Sequence, residues 1–212
     1  MKLHSKMVLL LVLATFSVST SPIIARILTN VPAVGISFWR MAIGAAILWF
    51  YSMFQSSAVL SIKNRNKTIL GGICLGIHFQ FFFESIKLTT IANATFLGTL
   101  APLFTLLLEK FYLKRKIPKK MILALIIIFT GSIIILSNQF DTSTNYTKGN
   151  LFALICSLWI ALAFMISENV RKEAGTVQFS KILFSSAAIT LMIISIYTGE
   201  SLVCYSKKDY LG

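Results

Sequence analysis

Acid is what this chain has least of. Seven Asp and Glu stand against 20 Lys and Arg, and charged residues of both signs make up only 13% of its 212 positions. So few charges, with 56% hydrophobic residues and a mean hydropathy of +0.80, exclude an ordinary soluble domain. Cysteine is scarce as well. Cys74, Cys156 and Cys204 are odd in number, show no C-x-x-C spacing, and two of them sit in apolar runs, so they read as packing thiols. Of two histidines, His4 lies near the amino terminus and His78 stands alone in an apolar run. No hydrolase elbow, phosphate loop, zinc set or kinase signature is present, which argues against an enzyme; no cofactor and no metal are expected. No run alternates in the manner of a barrel strand. The net charge of +13 does not indicate nucleic acid, because the cations fall between apolar runs rather than along one face or an RNA-binding motif.

What the chain has in abundance is long apolar runs near the roughly 20 residues that cross a bilayer as helix. Seven spans are expected, at 7–28, 33–54, 68–88, 91–113, 119–137, 149–169 and 177–197. Helix is the only open-ended choice in lipid, where each backbone N–H and C=O must be bonded within its own segment. The amino terminus imitates a signal peptide, with Lys2 and Lys6 before an apolar run, but that run continues to about Leu28 and further spans follow, so an uncleaved first helix is the stronger reading. With the amino terminus in the cytoplasm, fourteen cations fall on the inner side, among them Lys110, Lys114, Arg115, Lys116, Lys119 and Lys120, and five on the outer side: Arg26, Lys87, Lys148, Lys207 and Lys208. That bias places the amino terminus inside. Asn66, Asn93 and Asn145 match the glycosylation pattern by chance, two of them at positions expected to be cytoplasmic or within a helix.

The stretch around which the spans are organised includes TTIANATFLGTLAPLFTLLLEKFYLKRKIPKKMILALIIIFTGSIIIL. It resembles the signature of the drug/metabolite transporter superfamily, EamA type. In that family an Ala/Asn/Thr-rich fourth helix leads into an Ala-Pro pair, a basic turn and a Gly-containing fifth helix. Ala92, Asn93, Ala94, Ala101, Pro102, Leu103, Phe104 and Gly131 occupy the matching positions, whereas Arg115 stands where members usually carry a Glu. The resemblance implies an all-α membrane protein, a multi-span helical bundle with one five-helix repeat at 1–137. An extracytoplasmic loop at 138–148 and the start of an inverted second repeat at 149–212 would follow; an odd number of spans per repeat inverts the second half. The last residues, YSKKDYLG, stand where an eighth span is expected, so a fragment and a truncated product both remain open.

Several residues are candidates for lining a substrate cavity. The third span carries Gly72, Gly76, Gln80 and Glu84 at intervals of four, on one drifting helix face. The two glycines permit close approach of another helix. Gln80 and Glu84 are costly against lipid and are expected to point into the bundle. His78 is either a hydrogen-bonded packing residue or a proton carrier. Asn93 lies in the Ala/Asn/Thr-rich helix. Gly98 belongs to a line of small residues with Ala94, Ala101 and Thr105, and Pro102 is expected to free the Gly98 carbonyl, bending the helix or lining a polar cavity. Arg40 lies within the second span, roughly 10 Å below its outer edge, and matches an Arg that the resembled family often places there. It lines a cavity or snorkels outward. An approach between Arg40 and Glu84 is expected, because both lie in the outer half of the bundle. Glu109, beside many cations, reads as an interfacial ion pair, and Trp49, Tyr51 and Trp159 as anchoring or packing aromatics.

The leading functional reading is a secondary transporter of small metabolites, an exporter or exchanger of amino-acid-like or other small polar solutes, working by alternating access. Its partners would be the lipid bilayer, a small-molecule substrate and a proton or substrate gradient, with no nucleic acid. The alternatives are a non-transporting membrane protein and a half-transporter that completes itself as a homodimer. Coding sequence beyond Gly212 discriminates among them: three more apolar runs would favour the transporter.

Overall fold

Lipid supplies no hydrogen bonds, and each apolar run meets that constraint by coiling. The computed structural model describes residues 3–54, 59–137 and 144–203, which contain helices and no strand. In order these are α1 (Leu3–Ile27), α2 (Ala33–Ser52), α3 (Ile62–Leu88), α4 (Ile91–Gly98), α5 (Ala101–Phe111), α6 (Lys119–Ser137), α7 (Thr144–Glu173) and α8 (Thr176–Thr198). Among the described residues six spans are long and apolar enough to cross a membrane: α1, α2, α3, the α4–α5 pair, α7 and α8. The chain is therefore an all-α multi-span membrane bundle, and α6 forms a helix over the expected fifth span.

Some boundaries differ from expectation. α3 begins at Ile62 rather than residue 68, because the Ser61 hydroxyl accepts from the Asn64 N–H and caps it. Lys63, Arg65 and Lys67 in the polar turns that follow are good helix formers, so the helix projects past the apolar run. α7 likewise begins at Thr144, inside the expected outer loop, and continues to Glu173. Residues 138–143 of that loop, and the tail with Cys204, Lys207 and Lys208, lie outside the described residues.

α3 is the hub, packed most extensively on α7 and α8, while α8 also lies along α2. Small residues bring the backbones together. A Cβ at Gly72 would stand 2.5 Å from the Leu183 carbonyl oxygen and one at Gly76 would stand 2.9 Å from that of Ala187, so the two glycines seat α8. The Ser186 hydroxyl, facing the same groove, donates to the Ile69 carbonyl at 2.8 Å. The buried core runs through Val34, Met41, Leu75 and Leu191 where α2, α3 and α8 meet. A second cluster, Ala25, Ala33, Phe83, Ile86 and Ala94, joins α1 to α4 at one end. α1 otherwise turns large apolar side chains such as Leu10, Leu11 and Phe16 outward, as a lipid-facing helix does.

That end is laced by cations. The Arg26 guanidinium donates to the carbonyls of Ile86 (2.6 Å), Thr89 (3.2 Å) and Lys87 (3.4 Å), at the C-terminus of α3 where orphan carbonyls need donors. The Lys87 ammonium answers in the other direction, donating to the Thr29 carbonyl at 3.1 Å and to that of Val31, in the turn between α1 and α2. At the opposite end Lys181 is buried, 4.2 Å above the Trp49 ring and 3.3 Å from the Ser52 hydroxyl, and the Trp49 indole N–H donates to Ser185. Trp49 thus clamps α2 to α8.

Candidate functional site

The helices α1 to α4 do not close completely on one another. They surround a cavity of about 610 Å³ lined by Ser19 and Pro22 of α1, Arg40 of α2, His78, Phe79 and Phe82 of α3, and Thr95, Gly98 and Thr99 from α4 and its end. Arg40 lies seven residues from the start of α2 and His78 ten from the end of α3, so the cavity reaches from about 10 Å to about 15 Å of depth, near the middle of a bilayer.

Arg40 dominates its electrostatics. The guanidinium donates to the Ser21 hydroxyl of α1 and stands 4.9 Å from the centre of the Phe79 ring and 6.0 Å from that of Phe83. The ring faces provide cation–π attraction of about 0.5–2 kcal/mol. The three ion pairs among the described residues are Arg115–Glu109, Arg115–Glu168 and Lys172–Glu168, so Arg40 has no carboxylate partner there. The expected contact with Glu84 does not form. Glu84 accepts instead from the Gln80 amide at 3.3 Å, one turn away on its own helix. Helical rise put the two charges at similar depth, but azimuth decides contact, and Arg40 turns toward α1 and the phenylalanines.

His78 faces the cavity with half its capacity committed. Its Nδ1 donates to the Cys156 carbonyl of α7 at 2.8 Å, which in the neutral imidazole leaves Nε2 as an acceptor. The ring stacks at 6.0 Å on Phe82 and meets Phe79 edge-on at 5.0 Å. The cavity thus offers one unneutralised cation, one imidazole acceptor, two threonine hydroxyls and an aromatic wall. This set suits a small amphipathic molecule that carries an anion.

The wall contributed by α4 ends in a break. Pro102 was expected to free the Gly98 carbonyl, bending the helix or lining a polar cavity; the helix is interrupted between these two residues, stopping at Gly98 and restarting at Ala101 with Pro102 in the first turn of α5. Proline lacks an N–H and is well placed in a first turn, so it starts the new helix rather than kinking an old one. The Ser157 hydroxyl of α7 donates to the Leu97 carbonyl and stitches the break, while the Thr99 hydroxyl folds back to the Phe96 carbonyl at 2.8 Å.

Of the residues singled out from sequence, Arg40, His78 and Gly98 come together here. Gln80, Glu84, Asn93 and Pro102 do not line this cavity. Asn93 is buried at the start of α4, where its N–H donates to Thr90 and its side-chain amide reaches the Thr89 hydroxyl. Pro102 faces α6 across a small pocket of about 50 Å³. Sequence reading missed Ser21, Phe79, Thr95 and Thr99. The spacing of Thr95, Gly98 and Thr99 on one helix face was the available signal for three cavity-lining positions.

A multi-span helical bundle with a largely apolar cavity that holds a few polar groups, opened against a broken helix, has the build of a membrane transporter. The chain belongs to the EamA-like transporter family, whose model matches residues 5–137. It is 24% identical over 205 residues to the pseudopaline exporter CntI of Pseudomonas aeruginosa (strain UCBPP-PA14), a match covering 96% of this chain and 70% of that protein. It is 22% identical to YyaM, an uncharacterized transporter of Bacillus subtilis (strain 168), over 76% of this chain and 55% of the relative. None of the solved structures gives a significant match.

Proposed function

We propose that the chain acts as a secondary transporter that exports or exchanges a small metabolite bearing a carboxylate or similar anion, with Arg40 as its anion-binding group. The observation that carries this reading is a guanidinium in a mid-membrane cavity with no carboxylate partner among the described residues. A charge at that depth is costly unless paired, and a bound anion would supply the pair. The His78 Nε2 and the Thr95 and Thr99 hydroxyls would take the polar remainder of the solute, and Phe79 and Phe82 its apolar part. Export follows the pseudopaline exporter to which the chain is similar. The cation bias places the amino terminus in the cytoplasm. α7 and α8 are read as opening an inverted second repeat, with alternating access between the two halves.

The test is a metabolite efflux and uptake screen in cells expressing the full reading frame, comparing wild type with Arg40→Gln and Arg40→Lys. A charge-assisted hydrogen bond contributes about 1.5–3 kcal/mol, so Arg40→Gln should weaken transport of an anionic solute roughly ten- to hundred-fold at equal membrane abundance. Arg40→Lys should retain part of it. Transport by Arg40→Gln equal to wild type would remove Arg40 from the mechanism. A screen in which no solute moves would remove the transporter reading itself.

A further inference from the structure

A second opening lies away from the cavity, between α5 and α6. It is a groove of about 520 Å³ with Leu103 and Leu107 on one wall and Ile122 and Leu125 on the other. Three cations, Lys110, Arg115 and Lys116, stand at its mouth, and no acidic side chain lines it. The mouth is the turn joining the two helices, which places it at a membrane edge. Leu103 lies seven residues from Lys110 along α5, so the apolar walls run about 10 Å inward from the basic rim. α6 has no extensive packing partner among the described residues, and the groove exists because α6 stands away from α5.

The three cations are not equivalent. Arg115 is engaged by Glu109 at 3.3 Å and by Glu168 at 3.2 Å. Its N–H also donates to the Glu109 carbonyl, and Lys114 takes a positive φ of 51° to let the turn close. These contacts fix the rim. Lys110 and Lys116 have no carboxylate within ion-pairing distance among the described residues. Two unneutralised ammonium groups above an apolar slot match one kind of occupant: negative charge at the level of the membrane surface, with a hydrocarbon chain directly beneath it.

We propose that the groove between α5 and α6 is a binding site for an anionic phospholipid, its phosphate held by Lys110 and Lys116 and an acyl chain lying between Leu103, Leu107, Ile122 and Leu125. Basic pockets between membrane helices suit such headgroups, and juxtamembrane cations attract anionic lipid individually. The lipid fills the space that keeps α6 apart and fastens it to the bundle. This site does not depend on the cavity at Arg40 or on what is transported.

The full chain in detergent, titrated with phosphatidylglycerol and separately with phosphatidylcholine and followed by native mass spectrometry, tests the proposal. Phosphatidylglycerol should bind more tightly. Each lysine contributes about 1 kcal/mol, close to five-fold, so Lys110→Gln with Lys116→Gln should weaken phosphatidylglycerol roughly twenty-five-fold. The paired Lys63→Gln and Lys67→Gln substitutions, on another basic segment, should leave it unchanged. Leu107→Trp should fill the slot and weaken binding with every cation in place. Glycerol phosphate, which has the headgroup charge without chains, should compete poorly. Equal losses in the two lysine pairs, an unaffected Leu107→Trp variant, or glycerol phosphate competing as well as lipid would each overturn the site. Disulfide cross-linking of Leu107→Cys between two copies in lipid-free detergent, abolished by neither lysine substitution, would assign the groove to self-association and overturn it as well.

Discussion

Gly72 offers the sharpest test of how the bundle is assembled. Replacing it with Ala places a Cβ 2.5 Å from the Leu183 carbonyl oxygen and 2.6 Å from the Ser186 Cβ, both too close for any rotamer change to relieve. α8 must move off α3, and overpacking of this kind costs about 1–3 kcal/mol. Ala is favoured over Gly in a helix interior by up to about 1 kcal/mol, which opposes the loss. Because both obstacles are rigid the steric part should lie near its upper end, leaving a net destabilisation of about 2 kcal/mol. Gly76→Ala meets the Ala187 carbonyl oxygen at 2.9 Å and the Thr190 Cβ at 3.1 Å, so its loss should be smaller. Gly131→Ala, with nothing within 4 Å, should be neutral or stabilising. The assay is reversible unfolding in mixed detergent micelles, with the three variants ranked against wild type. Gly72→Ala as stable as Gly131→Ala would refute the packing argument, since propensity alone would then decide all three.

Two further perturbations follow from hydrogen bonds that no apolar pattern reveals. Arg26→Met strips donors from three carbonyls at the end of α3 and should destabilise by about 1.5–3 kcal/mol, measurable by the same unfolding assay; a loss below about 0.5 kcal/mol would mean that water caps them as well. Ser157→Ala removes the α7 donor from the Leu97 carbonyl, which keeps only local N–H contacts from Thr99 and Leu100, and should cost about 1 kcal/mol and slow transport in a full reading frame, against unchanged stability and rate if the break needs no stitch.

The spans were legible because bilayer thickness imposes a length on apolar runs, and length survives any uncertainty about packing. The spacing of Gly72 and Gly76 correctly indicated a close helix neighbour, but not that the neighbour is α8, more than a hundred positions along the chain. Charges were harder. Arg26 and Lys87 counted as outer cations by position, yet their heads are spent on carbonyls of adjoining turns, a role set by three-dimensional proximity of helix ends. Lys181 counted as an inner cation and is buried against Trp49. Arg40 was assigned the wrong neighbour, because helical rise gives only a position along the axis and partner choice depends on azimuth as well. The interruption fell where it was sought, between Gly98 and Pro102, but as a full break rather than a bend. A proline marks a helix start as readily as a bend, and which of the two holds depends on whether α7 can satisfy the carbonyls left behind.

The bundle is divided into a welded side and a side with space in it. Along α3, the positions facing α8 are glycines, so backbones approach until carbonyls and hydroxyls touch, and the Gly71 position is closed by Ser167 of α7. Such contacts have no slack. Toward α1 and α4, the same helix presents His78, Phe79 and Phe82, whose rings hold neighbours apart and leave the cavity. On the transport reading, the movements that expose this cavity belong to α1 and to the α4–α5 break rather than to α8. α1 is fastened by Arg26 near its end and by the Arg40–Ser21 hydrogen bond. The second of these is a bond that an incoming anion would compete for directly. On that same reading, a solute that takes the guanidinium would weaken one of the ties on α1 and so couple occupancy of the cavity to release of the helix that walls it.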